Sequence, residues 1–126
     1  MDMFSAPPRF DDDGLLASLC AMSEEELDGL DFGILGLNHE SIVTVYNRHE
    51  ERSSGLSRAR VIGRHCFHDV APCMNNFMVA ERVEHERPLD CIIPYVLTFR
   101  MRPTSVRLRM LCSAEMALRW ILVARV

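Results

Sequence analysis

Lysine is absent from this chain of 126 residues, and all 14 basic residues are arginine. An internal lysine Schiff base is therefore excluded, and with it the usual attachment of retinal or pyridoxal phosphate. Long apolar runs are lacking as well, since none approaches the ~18 residues that a membrane span requires. Met1-Asp2-Met3-Phe4 has neither the basic start nor the apolar stretch of a signal peptide. The five cysteines, Cys20, Cys66, Cys73, Cys91 and Cys112, are thus expected to stay in a reducing cytoplasm, and their odd number argues against a disulfide framework. With dispersed arginines, a net charge of −4 and no aromatic-basic motif, nothing in the chain suits nucleic acid. No internal repeat or low-complexity segment occurs.

What is present fits one globular domain with one core and a small pocket: 48% apolar and 25% charged residues. The charge is unevenly laid out. Residues 1–33 hold nine acids and a single base, Arg9, whereas residues 34–126 hold nine acids and thirteen arginines. The acidic amino-terminal segment is either a solvated leader or a cap held against the arginine-rich remainder by salt-sensitive attraction.

Leu15, Leu16, Leu19, Met22 and Leu27 predict two short amphipathic helices between Phe10 and Leu30, the second opened by a Ser23/Glu26 capping box. Residues 31–37 and 41–46 read as a strand pair turned at Asn38-His39-Glu40. Asn47 can start a helix that Gly55 ends, and Asn75 or Asn76 can cap another over residues 77–86, stopped by Pro88. The last third reads as three strands: residues 91–101, a half-buried strand with Val106, Leu108, Met110 and Cys112 on its buried face and Arg107 and Arg109 on the other, and residues 118–126. Turns are expected at Arg102-Pro103-Thr104 and Ser113-Ala114-Glu115. Two strands, several helices and three strands predict an α+β fold with an antiparallel sheet and helices packed on a face.

The chemistry-bearing residues have ordinary readings when taken singly. Cys73 is read as an inert, small apolar thiol, Tyr46 as a half-buried structural tyrosine, and Asn47 with Glu50 as a capping box whose carboxylate faces solvent. Together they read differently. The stretches Leu27-Asp28-Gly29-Leu30-Asp31-Phe32-Gly33, Tyr46-Asn47, Glu50, Val61-Ile62-Gly63, Phe67-His68-Asp69-Val70-Ala71-Pro72-Cys73, Met101-Arg102-Pro103-Thr104, Trp120 and Arg125-Val126 resemble the photoactive yellow protein family over residues 27–126.

That resemblance implies a PAS-type fold, a five-stranded antiparallel sheet flanked by short helices, with residues 1–30 as a helical cap and 31–126 as the photosensory core. It implies p-coumaric acid (4-hydroxycinnamic acid) held covalently as a thioester on Cys73. Its phenolic oxygen would be hydrogen-bonded by Tyr46 and a protonated Glu50, supported by Ser54, in a pocket lined by Val70, Ala71, Leu97, Phe99 and Met101. A phenol normally ionises near ~10 and a glutamate near ~4.3. Keeping a phenolate beside a neutral carboxylic acid therefore requires burial and hydrogen-bond donors to invert the usual order, and the two groups titrate as a coupled pair. Blue light would isomerise the chromophore and draw the Glu50 proton, leaving a buried carboxylate that loosens the cap. The output would be conformational, with no chemical turnover. It would pass to an unidentified downstream signalling protein or fused kinase module, from a monomer or weak dimer without membrane insertion.

Three features depart from the family pattern. Leu56 stands where an arginine usually shields the pocket, Cys66 replaces an aromatic, and the segment from Cys73 to Tyr95 is short. Other classes compete. One is a metal site from His65, Cys66, His68 and Cys73, whose spacing matches no usual zinc pattern; another is a Cys73 thiol hydrolase. The last is a PAS-type ligand or metal sensor without a covalent chromophore.

Overall fold

The computed structural model describes residues 6–99 and 102–125, Phe99 by its backbone alone. Two short helices, α1 (Leu15–Ala21) and α2 (Glu24–Asp28), precede strands β1 (Gly33–Leu37) and β2 (Val43–Tyr46). Then come α3 (Arg48–Ser54), α4 (Arg58–Val61), a wide π-type turn (Cys66–Val70), a 3₁₀ turn (Pro72–Met74) and α5 (Ala80–His85). Strands β3 (Leu89–Phe99), β4 (Arg102–Cys112) and β5 (Arg119–Arg125) complete the order. All pairings are antiparallel, in the order β2-β1-β5-β4-β3. No helix among the described residues is long and apolar enough to cross a membrane.

The expected α+β architecture is present, and the Ser23/Glu26 capping box forms in full, with Glu26 N–H donating to Ser23 Oγ at 3.1 Å and Ser23 N–H to Glu26 Oε1 at 2.9 Å. Several boundaries move. β3 and β4 pair down to Phe99↔Arg102, so Arg102, Pro103 and Thr104 belong to a strand and not to the expected turn, while the end of the strand expected over residues 91–101 lies outside the described residues. The helix expected from residue 77 begins at Ala80, because Asn76 Oδ1 accepts the Met78 and Val79 amides at 3.0 and 3.2 Å and turns the chain first.

The sheet is buried on both faces. Val106, Leu108, Met110 and Cys112 join Leu35, Val43, Tyr46, Phe67, Leu97, Ile121 and Val123 in an inner core beneath α3 to α5. The opposite face, expected to be the wet side of β4, is covered by the amino-terminal segment. Phe10, Leu15, Leu19, Leu27 and Leu30 pack there on Ile34, Leu111, Trp120 and Leu122. Arg109, only 4% exposed on this outer face, donates to the Phe10 and Asp12 carbonyls at 2.8 Å each and pairs with Asp90. Arg107 pairs with Asp11 at 2.9 Å and lies over the Phe10 ring. The acidic segment thus lies against arginines of the sheet.

Candidate functional site

Tyr46 reaches the inner face through a β-bulge. The β1/β2 register runs Leu35↔Tyr46, Gly36↔Val45, then Leu37↔Val43, so Thr44 is an extra residue. One extra residue reverses the alternation of a strand, and both Val43 and Tyr46 end up in the inner core. Asn47, fully buried, then starts α3. Its Oδ1 accepts the Glu50 amide at 3.1 Å and the Ile34 amide at 2.9 Å, while Nδ2 donates to the Leu27 and Phe32 carbonyls at 3.0 Å each. Gly55, at φ +78°, ends the helix in the left-handed region that glycine adopts without strain.

Positions 50 and 54 lie one turn apart on the same helical face, and both are buried. Ser54 Oγ is 2.7 Å from the Tyr46 hydroxyl and accepts the Leu56 amide at 3.1 Å, which leaves its own proton for Tyr46. Tyr46 in turn donates to the Leu56 carbonyl at 3.1 Å. Burial pushes the Tyr46 hydroxyl up to about 12, assisted by the neighbouring Glu50 charge and opposed by the Ser54 hydrogen bond.

Glu50 is 1% exposed. Its amide is capped by Asn47, but its carboxyl does not return to the Asn47 amide, which donates instead to the Ile34 carbonyl at 3.2 Å. The solvent-facing capping box is therefore corrected to a half-box whose acid turns inward. There Arg125 grips it with two parallel bonds, Nη1 to Oε1 at 2.8 Å and Nη2 to Oε2 at 3.1 Å. Gly33 makes room for this arrangement, since a Cβ there would come within 1.9 Å of Glu50 Oε1.

Cys73 lies in the 3₁₀ turn after Ala71, half-buried, and packs on the inner core. Its carbonyl accepts the Tyr95 hydroxyl at 2.6 Å, and Asn76 Nδ2 donates to that hydroxyl at 2.6 Å. Val70, Ala71 and Leu97 belong to the same core, with Leu56 packed against it. Met101 and the Phe99 side chain lie outside what is described. Cys66, fully buried, links the two halves: burial pushes its thiol up to about 12, and both Cys73 and Glu50 act on it.

Among the described residues no three His, Cys, Asp or Glu side chains converge as metal ligands. His65 is engaged otherwise, with Nδ1 accepting the Phe67 and His68 amides at 3.2 Å each. A cleft of about 280 Å³ between α1, α2 and β2 is lined by Leu19, Met22, Arg58 and Trp120 and touches Tyr46, but includes neither Cys73 nor Glu50. The candidate site therefore rests on the buried polar side chains of the inner core, which apolar neighbours close over.

Arg125 and Tyr95 are the site-forming residues that reading for chemistry overlooked. Strand alternation could have indicated Arg125, because Ile121 and Val123 face the inner core and Arg125 is next on that side.

A five-stranded antiparallel sheet carrying short helices over a buried polar cluster defines a PAS-type domain. The PAS domain of an HTR-like protein from Haloarcula marismortui shares this fold at a TM-score of 0.60 and 16% identity, over 88% of this chain and 93% of its own. No family model matches the chain. The photoactive yellow protein of Halochromatium salexigens is 33% identical over 119 residues, covering 92% of this chain and 95% of that protein. The chain belongs to the photoactive yellow protein family. Among solved structures, the photoactive yellow protein domain of the sensor histidine kinase Ppr from Rhodospirillum centenum superposes at a TM-score of 0.79 with 32% identity, over 86% of this chain and 98% of that domain.

Proposed function

We propose that the chain is a blue-light photoreceptor carrying p-coumaric acid as a thioester on Cys73, with residues 1–30 as a cap on a sensory core of 31–126. The observation that carries this reading is the pair of buried groups in the core on which Cys73 packs: the Tyr46 hydroxyl backed by Ser54, and the Glu50 carboxyl at 1% exposure. A carboxyl buried so completely without a role in chemistry would be a costly feature for a small domain.

The residues fit a phenol-bearing acyl group. When bound, p-coumaric acid supplies an isomerisable double bond that absorbs light and a phenolic oxygen that can hold charge. Tyr46 would turn its O–H from the Leu56 carbonyl toward that oxygen while Ser54 keeps donating to it. Glu50, once protonated, would leave Arg125 and donate as well. Val70, Ala71 and Leu97, with Phe99 and Met101, would exclude water, which strengthens both hydrogen bonds. Tyr95 and Asn76 would hold the Cys73 backbone while the site changes. On illumination Glu50 would give up its proton, and the altered charge inside the core would release the amino-terminal cap toward a partner or fused kinase module. The histidine-kinase context of the Rhodospirillum centenum domain supports that last step.

The test is reconstitution with activated p-coumaric acid. The wild-type protein should turn yellow, bleach under blue light and recover in darkness, and Cys73→Ala should do none of these. A colourless, adduct-free product would overturn the proposal and favour a PAS-type sensor without a covalent chromophore.

A further inference from the structure

Arg125 enters the light-sensing reading only as the partner that Glu50 leaves. It ends β5, on the face that carries Ile121 and Val123. Its guanidinium makes a bidentate pair with Glu50, at 2.8 and 3.1 Å, with side-chain exposures of 19% and 2%. This geometry is the fork-to-carboxylate match that arginine provides and lysine does not. Three consequences of the packing make it a built arrangement. Gly33 clears the space that the Glu50 carboxyl occupies, Asn47 fixes the helix start that aims it, and β1/β5 pairing from Gly33↔Val123 to Leu37↔Arg119 holds Arg125 close to Gly33.

A carboxyl that must be neutral to donate a hydrogen bond cannot at the same time complete a bidentate ion pair. Glu50 therefore has two mutually exclusive partners. We infer that Arg125 is the alternative partner of Glu50: it holds the carboxylate whenever Glu50 is not hydrogen-bonded to the group on Cys73, and it receives the carboxylate when Glu50 loses its proton. The proton goes from Glu50 to the phenolic oxygen, the charge goes from that oxygen to Glu50, and the guanidinium supplies the counter-charge. No redox partner or further reactant is involved. The Tyr46 hydroxyl and the Cys66 thiol are both kept neutral by burial; Glu51 also acts on the first and Glu84 on the second. Arg58 is the other cation nearby, but its guanidinium donates to the Tyr46 backbone carbonyl at 2.9 Å and pairs with Asp28, whereas Arg125 pairs with Glu50 itself. Arg125 is a positioning residue here. It acts on light sensing only through Glu50, and that part of the inference rests on the chromophore reading above.

The test begins with the full chain without chromophore, where the outcome does not depend on that reading. Infrared difference spectra between wild type and Glu50→Gln at neutral pH should assign Glu50 as a carboxylate. In Arg125→Gln the Glu50 signal should move to the protonated carboxylic acid, and Arg125→Lys should restore the carboxylate in part. A protonated Glu50 in the wild-type apoprotein overturns the inference outright, whether or not any variant folds. An unchanged carboxylate in a folded Arg125→Gln also overturns it.

After reconstitution, Arg125→Gln should recover in darkness about tenfold faster than wild type, with Arg125→Lys between, because the charge-separated state has lost its counter-ion. An unchanged recovery rate would overturn the receiving role. Failure to take up chromophore would instead sink the photoreceptor proposal and leave the apoprotein result standing.

Discussion

Gly33 shows how one missing methyl group shapes the site. The 1.9 Å separation that a Cβ would have from Glu50 Oε1 is far inside contact distance, and Glu50 is walled in by the core. Gly33→Ala should therefore push the carboxyl off Arg125 and destabilise the fold by about 1–3 kcal/mol, the usual effect of overpacking. Chemical denaturation of the apoprotein measures this. Placing the same substitution on Glu50→Ala should recover most of the loss, since the contacts at 1.9 and 2.9 Å are then gone and only the 3.2 Å approach of the residue-50 Cβ remains, and a loss that persists in full would contradict the steric cause. Cys73, Tyr46, Glu50 and Ser54 were legible as a group because they are polar or reactive types at positions a family pattern marks. Arg125 was not, because no reactive type or spacing marks it, and only its alternation with Ile121 and Val123 along β5 puts it on the inner side.

At the level of elements, the amino-terminal helices and the sheet are joined by more than apolar contact. Arg109 supplies donors to two backbone carbonyls of the segment and to Asp90, from a position that is nearly closed to water. Arg109→Met keeps the length and apolar stem but removes every donor, leaving the Phe10 and Asp12 carbonyls without this partner. A loss of about 1–3 kcal/mol is expected, together with faster proteolytic cutting within residues 6–30 while the sheet stays protected. Cutting that begins in the sheet would argue against a local clamp.

The helices themselves were readable from their apolar spacing and from the Ser23 cap, whose signals lie within a few residues. What they cover was not readable. Arg107 and Arg109 alternate with apolar residues and so read as a solvent face, and only long-range packing of Phe10, Leu15 and Leu19 makes that face an interior. Likewise the bulge at Thr44 leaves no mark in the alternation of residues 41–46, yet it decides which way Tyr46 points.

For the whole molecule, burial of neutral acids sets a limit at high pH. Tyr46 and Cys66 are both pushed up to about 12 in the folded state, from ordinary values near 10 and 9. The folded protein therefore keeps these protons where the unfolded chain has lost them. The resulting stabilisation is fully present below pH 9 and is lost as pH rises through about 12. Inside its window each group removes about 1.4 kcal/mol per pH unit. Denaturation midpoints measured from pH 8 to 12 should fall, and Tyr46→Phe combined with Cys66→Ala should flatten the decline. An equally steep decline in that double variant would place the alkaline sensitivity elsewhere.

The chain has a single tryptophan, Trp120, and it lies in the outer core beneath the amino-terminal helices. Its emission colour therefore reports on one event above all others, the wetting of that interface. Any departure of the helices would redden the fluorescence of the whole protein, so the molecule carries an intrinsic gauge of whether they stay on the sheet, with no label attached.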